Sequence, residues 1–140
     1  MSLMDETSST KGKILIVDDE ADVREVLKLH LAAGKFSVLE ASNGEEAITL
    51  MKMGSNLVQV GLIICDIRMP KVNGIDAINY IRSNAPSIPI LVITGYPDTN
   101  LAVSLMEKGV KGYLVKPVEK DVLLKKVKEV FEAPQDFQYA

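Results

Sequence analysis

Only one cysteine, Cys65, and one histidine, His30, occur among 140 residues, and there is no tryptophan. A single cysteine excludes an internal disulfide framework and fits a reducing compartment. A single histidine excludes multi-histidine metal sites and the HExxH zinc motif. No apolar run exceeds four residues, whereas a membrane span needs about twenty, and the N-terminus lacks the apolar stretch of a secretory signal. The expected location is the cytoplasm, with no membrane partner. A basic excess is missing too. Sixteen Lys and Arg stand against nineteen Asp and Glu, a net charge of −3, so direct nucleic acid binding by this segment is not expected.

What remains is 47% hydrophobic and 25% charged, the profile of one ordinary soluble domain. A domain of this length buries roughly two thirds of the surface its unfolded chain exposes, and needs no disulfide or structural metal to hold a core. Met1-Ser2-Leu3, a second Met and a Ser/Thr-rich stretch make residues 1–11 a leader or a disordered start. The folded domain is expected over residues 12–133, with a polar tail or linker stub at 134–140.

Five short β-rich runs recur, Ile14–Val17, Phe36–Leu39, Leu62–Cys65, Ile90–Ile93 and Tyr113–Val115. Each interval has room for one helix and two loops, the βαβ repeat of a parallel sheet. The first, third and fourth runs are continuously apolar, as expected of central strands covered on both faces. The segments between them predict helices. Ser42 and Glu45 have capping-box spacing at the second helix, and Gly34, Gly54 and Gly109 sit where the first, second and fourth should stop. The last helix, from about Glu119 to Glu132, puts Leu123, Val127, Val130 and Phe131 on one face, with Lys120, Lys125 and Lys128 on the solvated side.

In parallel α/β sheets ligands gather at the carboxyl ends of the strands. Those ends read Asp18-Asp19-Glu20, Asp66, Thr94-Gly95 and Lys116-Pro117. Carboxylates from two central strands, brought together, repel by about 4 kcal/mol per close pair at 4 Å and an effective dielectric near 20. Something positive must sit among them. Mg²⁺ suits all-oxygen ligation by one or two carboxylates, waters and a phosphate oxygen, and Lys116 supplies a second point charge. A carboxylate in that setting can act as a nucleophile toward phosphorus, with metal, ammonium and a threonine hydroxyl neutralising the phosphoryl oxygens.

Four motifs in order carry a resemblance: Val17-Asp18-Asp19-Glu20, Asp66-Ile67-Arg68-Met69-Pro70 leading to Asn73-Gly74, Ile93-Thr94-Gly95, and Gly112-Tyr113-Leu114-Val115-Lys116-Pro117. From about Lys13 to Ala133 the chain resembles the receiver domain of bacterial two-component response regulators. The resemblance implies a flavodoxin-like, doubly wound five-stranded parallel sheet of order 2-1-3-4-5, with helices on both faces. It implies Asp66 as phosphoacceptor, and Asp18, Asp19, Asp66 and the backbone carbonyl of Arg68 as Mg²⁺ ligands. Lys116 would bind the phosphate next to a cis peptide bond with Pro117, Thr94 would be the switch hydroxyl and Tyr113 the switch aromatic. The implied partners are a sensor histidine kinase or phosphotransfer protein, and an output domain or target on the surface of the fourth helix, fifth strand and fifth helix. The chain would be a signalling phosphoacceptor and not an enzyme in its own right, supporting only its own phosphotransfer and autodephosphorylation. Arg68 and Tyr96, two residues past the phosphoacceptor and the switch hydroxyl, flank the path of attacking water in this family. Both are large, which predicts slow self-dephosphorylation.

Plainer readings exist for several of these residues. Asp18-Asp19-Glu20 could simply favour a helix N-terminus, and Tyr113 could be an ordinary strand aromatic. His30, on the first helix, reads as a structural or surface residue, and Cys65, by strand alternation, as a small buried hydrophobe pointing away from Asp66. A flavodoxin-like redox protein would need a hydroxyl- and glycine-rich loop after the first strand, where this chain has three acids. A haloacid-dehalogenase-type phosphatase wants Asp-x-Asp, which Asp66-Ile67-Arg68 is not, and no GxGxxG marks a dinucleotide site. A phosphorylation-independent adaptor receiver, or the receiver module of a hybrid kinase, stays open. So does a homodimer, although Lys111-Gly112 lacks the acidic pair common in regulators that dimerise through this face.

Overall fold

The computed structural model describes residues 12–67 and 74–132. Its strands are β1 (Lys13–Val17), β2 (Ser37–Ala41), β3 (Val60–Asp66), β4 (Ile90–Thr94) and β5 (Gly112–Val115). They form one all-parallel sheet of order β2-β1-β3-β4-β5, so the three continuously apolar runs lie inside and the other two form the edges. The helices are α1 (Ala21–Ala33), α2 (Gly44–Lys52), α3 (Gly74–Asn84), α4 (Thr99–Glu107) and α5 (Lys120–Glu132). A single helical turn at Asn56–Gln59, which no sequence signal announces, bridges α2 to β3. Asn56 Nδ2 ties it back by donating to Leu50 O at 2.7 Å.

Strand alternation splits the core into two halves. Ile14, Ile16, Leu62, Ile64, Leu91 and Ile93 face Leu27 and Leu31 of α1 and Leu123 and Val127 of α5. Leu15, Val17, Ile63, Cys65, Ile90 and Val92 face Ala47 and Met51 of α2, Ile78 and Ile81 of α3 and Leu105 of α4. Helices therefore cover both faces, which is why β1, β3 and β4 carry no polar alternation. Each fully buried Leu or Ile contributes roughly 1.5–3 kcal/mol, and the central strands supply most of them. Among the described residues no helix is long and apolar enough to cross a membrane.

Several element ends depart from the sequence expectations. Phe36 precedes β2 instead of starting it and stacks on Phe131 of α5 at a centroid distance of 5.6 Å, closing one end of that core half. α1 does stop at Gly34, but the left-handed residue is Lys35, at φ 68°. A Cβ at Gly34 would stand 2.8 Å from Leu124 Cδ2 and 3.0 Å from the Phe36 ring, so those side chains would have to shift to admit one.

The capping box of α2 is a correction. It uses Asn43 and Glu46, one residue beyond the Ser42 and Glu45 of the sequence reading. Asn43 Oδ1 accepts from Glu46 N–H at 2.8 Å, and Glu46 Oε1 accepts from Ser42 N–H. β2 runs to Ala41, and the helix cannot begin until the chain has turned, which makes Asn43 the first residue able to offer a side-chain acceptor to the opening turn. Asn43→Ala should lower stability by about 1 kcal/mol, whereas Ser42→Ala, which keeps the backbone N–H that Glu46 uses, should be close to neutral. Paired urea melts of the two variants measure the difference.

Candidate functional site

The parallel register brings the strand ends to one rim. Val17 pairs with Cys65, Asp66 with Ile93, and Thr94 with Val115, so Asp18, Asp66, Thr94 and Lys116 end or follow four adjacent strands. Asp18 is fully buried and Asp66 nearly so. Asp18 N–H donates to Ala41 O at 3.1 Å, its Oδ1 accepts from Glu20 N–H at 2.8 Å, and its carbonyl accepts from Arg24 Nη1 at 2.7 Å. Cys65, one residue before Asp66, points into the opposite core half, and burial pushes its thiol well above the ordinary range.

Lys116 closes the cluster. Its Nζ lies 2.8 Å from Asp66 Oδ2, 2.9 Å from Asp18 Oδ2 and 2.9 Å from Glu20 Oε1. The peptide bond to Pro117 is cis, and Lys116 N–H donates to Thr94 O at 2.9 Å. Burial alone would depress the Lys116 pKa. The ion pairs with Asp66, Asp18 and Glu20 outweigh it and hold the ammonium above its ordinary range, so it is charged at any physiological pH. Burial pushes the Asp18 carboxyl up, against the opposing pull of Lys116 and of the Glu20 N–H.

Asp18, Asp19, Glu20 and Asp66 offer carboxylate oxygens that all lie within 4.8 Å of one another. One ammonium cannot satisfy four carboxylates. Asp18 Oδ2 keeps its ion-pair contact with Lys116 but is outside hydrogen-bond alignment, leaving a fully buried oxygen with no hydrogen bond. An oxygen-only donor set with an unsatisfied buried lone pair fits a hard divalent cation.

Thr94 is buried at the end of β4, and its hydroxyl accepts from Tyr96 N–H at 3.0 Å. Tyr96 itself is exposed. Tyr113 is half-buried on β5, and its hydroxyl accepts from the N–H of Asp98 at 3.2 Å, while the Asp98 side chain caps α4 through Leu101 N–H. Arg68, expected as a carbonyl ligand and as a shield, lies outside the described residues, as do Met69, Pro70 and Asn73. Two members of the arrangement were not singled out from sequence. Glu20 was visible in the acidic run, but its bond to Lys116 spans 96 residues. Arg24, on the first turns of α1, carried no local signal.

The chain matches the family model described as the response regulator receiver domain over residues 14–128. It is 35% identical over 114 residues to a cyclic di-GMP phosphodiesterase of Thermotoga maritima, covering 81% of this chain and 29% of that protein. It is 34% identical over 116 residues to the transcriptional regulatory protein ZraR of Klebsiella oxytoca, covering 83% of this chain and 25% of that one. The crystal structure of a CheX–CheY–BeF3–Mg²⁺ complex from Borrelia burgdorferi superposes with a TM-score of 0.80 at 27% identity, covering 86% of this chain and 89% of that one. This chain thus spans about a quarter of the length of these two curated relatives, whose full activities reside in longer proteins. The family match covers most of the chain and the all-parallel sheet superposes on a solved relative, and the chain belongs to the response regulator receiver domain family of two-component systems.

Proposed function

We propose that this chain is a phosphoacceptor switch in which a histidine kinase or phosphotransfer protein loads Asp66. The observation that carries this reading is the buried Asp66 carboxylate, bound by the Lys116 ammonium inside a cluster of acids. In the transfer, an Asp66 oxygen forms the new P–O bond while the P–N bond of the donor phosphohistidine breaks, and the donor imidazole keeps the electron pair and takes up a proton. Lys116, already within reach of Asp66, follows the developing charge by pairing with a phosphoryl oxygen. Asp18, Asp19 and Asp66, with the Arg68 carbonyl, would hold Mg²⁺, which when bound supplies charge neutralisation at the phosphoryl oxygens. The BeF3 and Mg²⁺ named for the Borrelia burgdorferi neighbour support the same chemistry for this site.

The output follows from the position of Thr94. Drawn toward a phosphoryl group, its hydroxyl gives up the Tyr96 N–H, and Tyr113 moves into the space vacated, leaving the N-terminus of α4. The surface of α4, β5 and α5 then presents a different face to an output domain or target, in the cytoplasm. Residues 12–133 would form the receiver unit and 134–140 a linker stub.

Acetyl phosphate with Mg²⁺ should add one phosphate mass to the wild type and none to Asp66→Asn, and chelating the metal should stop the reaction. Equal labelling of the mutant, read by intact mass spectrometry, would remove Asp66 from this role, and no labelling of the wild type would leave a phosphorylation-independent adaptor. Thr94→Ala should still accept phosphate but lose most of the amide chemical-shift change on α4 when beryllofluoride is added; wild-type shifts would route the switch through other residues. Trimming both Arg68→Ala and Tyr96→Ala should speed phosphate loss severalfold over wild type, on the ground that bulk beside the in-line path excludes water. Unchanged decay would show that these side chains do not shield the phosphorus.

A further inference from the structure

We propose that Arg24 is a positioning residue for the acidic cluster, a strut from α1 that fixes Asp18 by its backbone and is itself anchored on Glu40 of β2. The inference rests on the phosphoacceptor reading above and concerns how this chain holds its cation site. Arg24 Nη1 donates to the Asp18 carbonyl at 2.7 Å, and Arg24 Nε donates to Glu40 Oε1 at 3.1 Å. The other Glu40 oxygen lies 2.9 Å from Lys28 Nζ. Its two cations, Lys28 first, hold the Glu40 carboxyl below its ordinary range, so it stays ionised at neutral pH.

The geometry gives the strut a specific task. Asp18 follows the last residue of β1, where the ladder to β2 ends at the Val17–Ala41 pair, so no further strand pairing holds its carbonyl. Arg24 takes over that carbonyl, Ala41 O takes the N–H, and Glu20 N–H takes Oδ1. With those groups held, the carboxylate has one aim, and its Oδ2, paired with the Lys116 ammonium but without a hydrogen bond, faces the cluster. Among the described residues the Arg24 hydrogen bonds go to a carbonyl and to Glu40, none of them to the cluster's carboxylates, so the guanidinium adds positive charge nearby without occupying oxygens that a cation needs. A planar fork spans two acceptors on different strands at once, which a lysine ammonium on a flexible stem does far less well. Losing a residue that orients a metal ligand commonly costs about 10–100-fold in metal affinity.

The test is Mg²⁺ affinity by isothermal titration calorimetry, beside thermal unfolding without metal, on the full chain. Arg24→Met, which keeps most of the aliphatic stem, should bind Mg²⁺ about tenfold more weakly while remaining folded. Glu40→Ala, which frees the guanidinium from its anchor, should weaken binding in the same direction and serves if Arg24→Met fails to fold. The double variant should bind no more weakly than Arg24→Met alone, since both changes remove one strut. Lys28→Ala, which removes the other Glu40 partner and touches nothing at Asp18, should bind as wild type does. Wild-type Mg²⁺ affinity in a folded Arg24→Met, or strictly additive losses in the double variant, would overturn the strut. A wild type that neither binds Mg²⁺ nor takes phosphate from acetyl phosphate would overturn the phosphoacceptor reading instead.

Discussion

One ammonium among four carboxylates sets the terms for the rest of this structure. Asp18 and Asp66 are buried at the ends of two adjacent strands, a placement that costs several kcal/mol per ion unless each charge is met. Lys116 meets both and Glu20 as well, each within 2.9 Å. The compensation is partial by count, since one positive charge faces four negative ones and Asp18 Oδ2 is left without a hydrogen bond. Such a site has room in its charge balance for another cation.

The sheet exists to make this placement possible. A parallel sheet sends every strand the same way, so all carboxyl ends share one rim, and burial of both faces leaves no freedom of register. The side chains of β1, β3 and β4 divide between two core halves, and slipping β1 or β3 by one residue would exchange its halves and turn Asp18 or Asp66 into hydrocarbon. The apolar packing and the acidic rim are thus one constraint seen from two sides. Around the rim, two side-chain hydroxyls are each held by a backbone N–H. The Thr94 hydroxyl is engaged by Tyr96 N–H, and the Tyr113 hydroxyl by the N–H of the residue that caps α4. Both are single hydrogen bonds, worth about 1 kcal/mol net.

Much of this was legible from sequence because it is written in short-range pattern. Continuous apolar runs of β-branched residues with helix-sized gaps determined a parallel α/β sheet and named its central strands. The acids, hydroxyl and lysine directly after those runs determined the rim's composition. Helix ends were legible to within a residue where glycine or a capping box marked them, and the one-residue shift from Ser42 to Asn43 arose because β2 extends further than its apolar run. The turn at Asn56–Gln59 was not legible, since four residues are too few to show a period.

Which side chains touch was decided by tertiary structure alone. Lys116 lies 50 residues from Asp66 and 96 from Glu20, and Arg24 lies 16 from Glu40; no local pattern couples residues at such separations. Strand order 2-1-3-4-5 came from family resemblance and not from the pattern of runs, which is compatible with other orders of the same five strands. Sequence by itself determined which groups stand at the strand ends, because residue type and periodicity act over a few residues. Only the folded sheet decided that Glu20 shares the ammonium, that one Asp18 oxygen is left over, and that Arg24 braces the carbonyl beside it, because those facts depend on how separate elements pack in space.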